Sequence, residues 1–182
     1  MQSLMSGRIQ NVVMLMLAAA CAPAQEHDAP PEIAELAVDA LRAAAEVKVR
    51  GDVEAVLREH PLSLRYAAAM QEHFALMREL HHVGLRSKIR YPRSEVSVRH
   101  DRFCETGAVA HLVLTARVRY DMESVPPASG APPYTAGEEE HVFRFERNAA
   151  GAWIVARHHE INLAEMHQPE VVRRLRNPCG AQ

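Results

Sequence analysis

Several histidines occupy positions where an imidazole could transfer protons, and His141 is the strongest candidate. It alternates with Phe143 and Phe145 in a strand-like stretch, so these three side chains should share one face of a sheet. Because the ordinary pKa of histidine lies near neutrality, His141 could serve there as a general acid or base. The alternative is a structural core residue whose nitrogens hydrogen-bond to neighbouring helices.

A second strand-like stretch supplies further candidate residues for the same pocket. Trp153, Arg157 and His159 recur at even spacing, which places their side chains on one face of a strand. Such a set would suit an anionic or aromatic ligand, although His159 could equally be a hydrogen-bonded core residue. The predicted lining is His141, Phe143, Trp153, Arg157, His159 and, from a helix, Tyr66.

The eleven histidines do not form a recognisable metal motif. In the adjacent pairs His81-His82 and His158-His159, neighbours point about 100° apart on a helix and to opposite faces on a strand. Glu79 and His82 have the Glu-x-x-His spacing of di-iron bundles, but those bundles need further carboxylates. The sequence has no Cys-x-x-Cys or His-Glu-x-x-His motif. It therefore predicts no metal and no cofactor.

The N-terminus resembles an export signal. Arg8 precedes the apolar run 12–17 and three alanines, and Cys21 follows them. The run is too short to span a bilayer. The alanines before Cys21 resemble a bacterial lipoprotein box, in which that cysteine carries the lipid anchor; the alternative is ordinary cleavage close by. We expect a signal peptide at 1–20 and a tether at 21–31, rich in alanine and proline.

Two more cysteines, Cys104 and Cys179, could pair in an oxidising compartment, although their spacing does not show proximity. The alternative is two separate thiols. Removing residues 1–20 takes away Arg8 alone, which changes the formal net charge from −2 to −3. This balance does not favour nucleic acid or an anionic membrane surface as a partner. The remaining candidate partners are an unidentified small molecule and an envelope protein. We expect contact with the membrane through the lipid anchor only.

Hydrophobic periodicity predicts helices first and strands afterwards. Apolar residues at three- and four-residue spacing predict helices over 31–50 and 62–82, with a short helix between them. Alternation predicts strands over 93–103, 107–121, 138–147 and 152–161, and a last helix ends near Arg176. Helices followed by an antiparallel meander indicate an α+β domain over 32–176, with a tail at 177–182.

Two regions carry a resemblance to NTF2-like (cystatin-like) domains, in which a curved sheet of about four strands wraps around helices. The first is Gly84-Leu85-Arg86, Ile89-Arg90-Tyr91 and Glu95-Val96-Ser97-Val98. The second is the pair Glu140-His141-Val142-Phe143-Arg144-Phe145 and Gly151-Ala152-Trp153-Ile154-Val155. This pair is similar to a hairpin in the non-catalytic N-terminal module of secreted bacterial amidase-domain proteins, and the resemblance covers about residues 32–161.

The resemblance implies the accessory module and not the amidase. Cys179 lies in Asn177-Pro178-Cys179-Gly180, which does not match the Cys-Thr-Asn-Phe type of motif of the catalytic region. Our first expectation is therefore an exported, lipid-anchored binding protein without catalysis. The alternatives are a small isomerase- or cyclase-like enzyme that uses His141, and an interaction domain that forms a homodimer through an exposed sheet face.

Overall fold

The computed structural model describes residues 28–124 and 132–180, and it confirms the predicted α+β class. Helices come first, and a curved antiparallel sheet follows. The helices are α1 (Pro31–Arg50), α2 (Val53–Glu59), α3 (Gln71–Arg86), α4 (Leu163–Met166) and α5 (Pro169–Arg176). The strands are β1 (Ile89–Arg90), β2 (Ser94–Thr106), β3 (Val109–Asp121), β4 (Glu123–Ser124), β5 (Tyr134–Arg147) and β6 (Trp153–Glu160).

The main sheet has the antiparallel order β2-β3-β5-β6, and the two-residue strands β1 and β4 pair separately. The inner face of this sheet packs against α1 and α3. Side chains alternate along β3, and this alternation determines which of its residues lie on the inner face. Leu112, Leu114 and Ala116 are fully buried on that face. Register shifts in β2 and β6 each place one extra residue opposite a neighbour, and such bulges bend and twist a strand.

The predicted helix over 31–50 is confirmed as α1. Pro31 suits the first helical position, where its missing N–H costs nothing, and Gly51 closes the helix in the left-handed conformation. The Gly51 N–H donates to the Val47 carbonyl at 2.7 Å. Nine residues of α1 are buried, five of them alanines, so the helix backbone approaches its neighbours closely.

The predicted helix over 62–82 is partly wrong, because only its second half is α-helical. A 3-10 turn covers Ser63–Arg65, and α3 begins at Gln71 and ends at Arg86. Gly84 lies inside α3, where a Cβ would come within 2.9 Å of the Tyr91 ring. Glycine there lets β1 and the residues after it pack closely against α3.

The C-terminal helices cover part of the outer face of the sheet. Val172 of α5 is buried, and Val113, which points outward between Leu112 and Leu114, is buried too. The Arg176 guanidinium forms a bidentate ion pair with the Glu140 carboxylate on the outer side of β5. Among the described residues no helix is long and apolar enough to cross a membrane.

Gly51→Ala tests the turn that joins α1 to α2. Gly51 has φ +75°, and an added Cβ would lie 2.5 Å from His81, whose Nδ1 contacts the Lys48 carbonyl at 2.9 Å. We expect both strain and a clash to lower the free energy of unfolding by about 2–3 kcal/mol. Gly107→Ala is the control, because Gly107 has φ +62° with open space around its Cα. If chemical denaturation shows that the two variants lose the same free energy of unfolding, the predicted clash is contradicted.

Candidate functional site

A bulge at Ala156 decides which side chains of β6 point inward. Val155 pairs with Phe145, but Arg157 pairs with Arg144, so Ala156 has no partner in the ladder. Because alternation has period two, the extra residue moves every later side chain to the other face. The predicted alignment of Arg157 and His159 with Trp153 is therefore wrong.

Three imidazoles meet on the inner face, and we call His73, His141 and His158 the histidine cluster. His141 of β5 is fully buried, and its Nδ1 lies 3.1 Å from His158 Nε2 of β6. Their rings stack with centroids 5.2 Å apart. His73 of α3 closes the cluster, with its ring centroid 5.0 Å from His158 and 5.8 Å from His141. Three elements thus contribute one histidine each.

Two carboxylates flank the histidine cluster. Glu160 Oε2 lies 3.3 Å from His73 Nδ1, and Glu139 Oε2 lies 3.5 Å from His141 Nε2. The second distance is too long for a good hydrogen bond, and His141 Nε2 has no hydrogen-bond partner among the described residues. A buried nitrogen without a partner is costly, which makes this end of the inner face a candidate functional site.

Burial and repulsion from neighbouring imidazoles shift the pKa of His158. Burial, together with the nearby His73, His141 and His159, lowers the pKa of His158 to about 2. Its imidazole is therefore neutral at physiological pH and can both donate and accept one hydrogen bond. Contact with His73 lowers the pKa of Glu160, so that this carboxylate stays ionised. A neutral imidazole and a carboxylate together favour a ligand with hydrogen-bond donors or positive charge.

A pocket of about 270 Å³ opens beside the histidine cluster, between α3 and the edge strand β6. His73, His158 and Glu160 line it, and Glu72 adds a second carboxylate. Two apolar side chains, Ala69 and Leu76, and two polar ones, His159 and Asn162, complete the lining. This pocket differs from the predicted one, because no arginine lines it among the described residues and two carboxylates do.

A half-buried lysine extends the polar region of the inner face. Lys48, near the end of α1, places Nζ 3.9 Å from the ring centroid of Tyr120 and 4.9 Å from that of Tyr91. Burial lowers the pKa of Lys48, while the charge of Glu139 acts in the opposite direction. Burial and the same Glu139 raise the pKa of Tyr120. The charge of Glu139 thus acts on both Lys48 and Tyr120.

The other predicted pocket residues lie elsewhere. Phe143 is fully buried and packs under the cluster, with its ring centroid 4.7 Å from His158. Tyr66 packs against Phe74 in the core, and burial and the charge of Asp39 raise its pKa. Trp153 is buried at the opposite end of β6, where its carbonyl accepts a hydrogen bond from Arg65. Tyr66 and Trp153 therefore do not line the pocket described above.

The outer face holds the remaining predicted residues. Arg157 is exposed there, and His159 Nε2 lies 2.9 Å from Glu165 Oε2, so His159 reaches the pocket only at its rim. Cys104 and Cys179 are joined in a disulfide, with Cα atoms 6.3 Å apart. In the described part of the chain, these cysteines and His111 form a group whose potential metal-binding atoms lie within 4.8 Å of one another. The predicted lipidation site, Cys21, falls outside the described residues.

Sequence reasoning missed five contributors to the site: His73, His158, Glu72, Glu139 and Glu160. His73 lies four residues before Met77 on the buried side of α3, and this spacing could have identified it. Glu139 lies two residues before His141 and shares its face. His158 and Glu160 could not be found from alternation, because the bulge reverses it.

Comparisons with known proteins give no function. No family model matches the chain, and no curated protein matches it. One similar solved structure is the intermembrane space region of the chloroplast protein ARC6, at 12% identity, covering 72% of this chain and 98% of that chain, with TM-score 0.39. Another is a ketosteroid isomerase-like protein from Erwinia carotovora atroseptica, at 16% identity, covering 69% and 94%, with TM-score 0.35. At this distance neither indicates what this chain binds or does.

Proposed function

We propose that this chain is an exported, lipid-anchored binding protein of the bacterial cell envelope. Its α+β domain holds a small ligand in the pocket beside the histidine cluster, and Cys21 tethers the domain to the membrane. The observation that carries the binding role is the pocket between α3 and β6, where the ionised Glu160 meets two imidazoles from different elements. The export signal and the cysteine after three alanines support the location.

The charges of the pocket define the class of ligand. Glu72 and Glu160 line it, the part of the chain that the structure describes contributes no lysine or arginine to its wall, and His158 is neutral. A ligand with an amine, or with several hydrogen-bond donors, would satisfy these acceptors, whereas an anion would be repelled. The apolar part of such a ligand would contact Leu76, a half-exposed side chain that also lines the pocket.

Mass spectrometry of the full-length protein extracted from membranes tests both parts of the proposal. We expect a diacylglycerol-type mass increase on Cys21 and a small molecule that is released on denaturation. Glu160→Gln should reduce the amount of released small molecule at least about tenfold, because an ionic hydrogen bond is replaced by a neutral one. Glu146→Gln is the matched control, because Glu146 lies on β5 away from the pocket. A Glu160→Gln variant that retains the molecule would contradict this binding site.

Acid–base catalysis at the histidine cluster is the second candidate function. It is favoured by the fully buried His141, which contacts His158 and leaves Nε2 without a hydrogen-bond partner among the described residues. Incubating ligand-free protein with the released compound separates the two functions. An enzyme would convert the compound to a product of different structure, and His141→Phe would abolish the conversion while binding persists. A binding protein returns the compound unchanged.

A further inference from the structure

Three side chains with metal-binding atoms converge on the outer face of the sheet, on the side opposite the histidine cluster. Cys104 of β2 and His111 of β3 are direct partners in the antiparallel register. Cys179 follows α5, and its Sγ lies 4.0 Å from His111 Nδ1. All three potential donor atoms lie within 4.8 Å of one another. Two sulfurs and one imidazole nitrogen form the donor set that zinc and other thiophilic cations prefer.

We propose that Cys104, His111 and Cys179 form a metal site for Zn²⁺ when the Cys104–Cys179 disulfide is reduced. A dithiol reductant supplies two electrons and two protons, which break the S–S bond and give two thiols, while the dithiol becomes a disulfide. Binding of Zn²⁺ then releases both thiol protons, and two thiolates and the imidazole hold the ion. The oxidised protein cannot hold the ion in this way, because its sulfurs are bonded to each other.

Contacts other than the disulfide also keep the three ligands near one another. The β2–β3 ladder fixes Cys104 opposite His111. The segment that carries Cys179 is attached to the sheet by the Arg176–Glu140 ion pair and by a hydrogen bond of 2.6 Å from Arg102 to Asn177. Reduction therefore leaves the cysteines near each other, and little rearrangement is needed to surround an ion.

The exposure of the three residues determines the kind of site. Cys104 is buried, whereas His111 and Cys179 are partly exposed. Three protein ligands leave the fourth position of a tetrahedral zinc open to water or to a further ligand. This inference does not depend on the proposed function, because it concerns the opposite face of the sheet.

Zinc binding by the full-length chain tests the proposal. The protein is reduced with a phosphine and titrated with Zn²⁺ in competition with a chromophoric chelator. We expect reduced wild-type protein to bind one Zn²⁺ more than Cys104→Ala/Cys179→Ala, while oxidised wild-type protein matches the double variant. Cys21 is retained in every sample, so any contribution from it cancels in the comparison. Equal binding by the reduced wild type and the double variant would overturn the proposal.

His111→Gln separates the metal site from the disulfide. This variant should still form the disulfide, as thiol counting would show, but bind Zn²⁺ at least about tenfold more weakly when reduced. His167→Gln is the control, because His167 is exposed and lies outside the group. If the double cysteine variant does not fold, oxidised wild-type protein replaces it, because its Cys104 and Cys179 sulfurs are bonded to each other. Wild-type affinity in His111→Gln would also overturn the proposal.

Discussion

Lowering the pH from 7 to 5 should reduce the free energy of unfolding by about 2 kcal/mol through His158 alone. The folded protein holds the pKa of His158 at about 2, whereas the unfolded chain has the ordinary value of 6.5. The unfolded state therefore binds a proton that the folded state does not bind, so stability is lost as the pH falls through 6.5. The loss continues at about 1.4 kcal/mol per pH unit.

His158→Phe should remove this part of the pH dependence. A phenyl ring fits the apolar side of the site, because His158 already packs against Phe143. Urea denaturation of both proteins between pH 7 and pH 5 gives the two slopes, and His167→Gln serves as the exposed histidine control. Below pH 4.5 the variant should still lose stability, because the pKa of Glu160 is lowered in the folded state and its protonation opposes folding. Identical slopes from pH 7 to 5 would show that His158 titrates normally.

The regular elements could be predicted from hydrophobic periodicity, because burial on one face imposes that period. The strand β3 lies within the predicted range 107–121, and α1 has the predicted bounds. The region before α3 was not predictable in the same way. Apolar residues there continue the helical spacing, yet the chain forms a 3-10 turn over Ser63–Arg65 before α3 begins.

Only part of the candidate site could be predicted from the sequence, and the bulge at Ala156 explains why the rest could not. His141 could be placed on the inner face because it follows the same alternation as Phe143 and Phe145. In β6 the alternation predicts Arg157 and His159, but the extra residue brings His158 and Glu160 inward instead. A bulge has no fixed sequence signal, because it depends on how the neighbouring strand is paired.

The same reversal changes the chemistry expected of the pocket. An inward Arg157 would have favoured an anionic ligand, whereas the inward Glu160 favours a cationic one. The register of β6 determines whether Arg157 or Glu160 faces inward, and this residue determines the favoured charge of the ligand. Residue composition alone does not determine it. The proposed export and anchoring at Cys21 depend on the N-terminal sequence and are independent of this reversal.

Removing the Cys104–Cys179 disulfide should lower the free energy of unfolding by about 2–4 kcal/mol. The bond joins residues 75 positions apart, so it restricts a large loop of the unfolded chain. We expect Cys104→Ala/Cys179→Ala and chemically reduced wild-type protein to show the same loss in urea denaturation, with Zn²⁺ excluded by a chelator. Alanine is preferred to serine at position 104, because Cys104 is buried and a hydroxyl there would add its own cost.

The location of the disulfide predicts which part of the chain loosens when it is removed. It attaches the end of α5 to β2 on the outer face, whereas the histidine cluster lies on the inner face. Hydrogen exchange should therefore rise over α4 and α5 in the double variant, while β5 stays protected and the small molecule expected at Glu160 is retained. Cys21→Ala is the control and should change neither measurement. Loss of protection in β5 together with α5 would show that the sheet and its C-terminal cover unfold as a single unit.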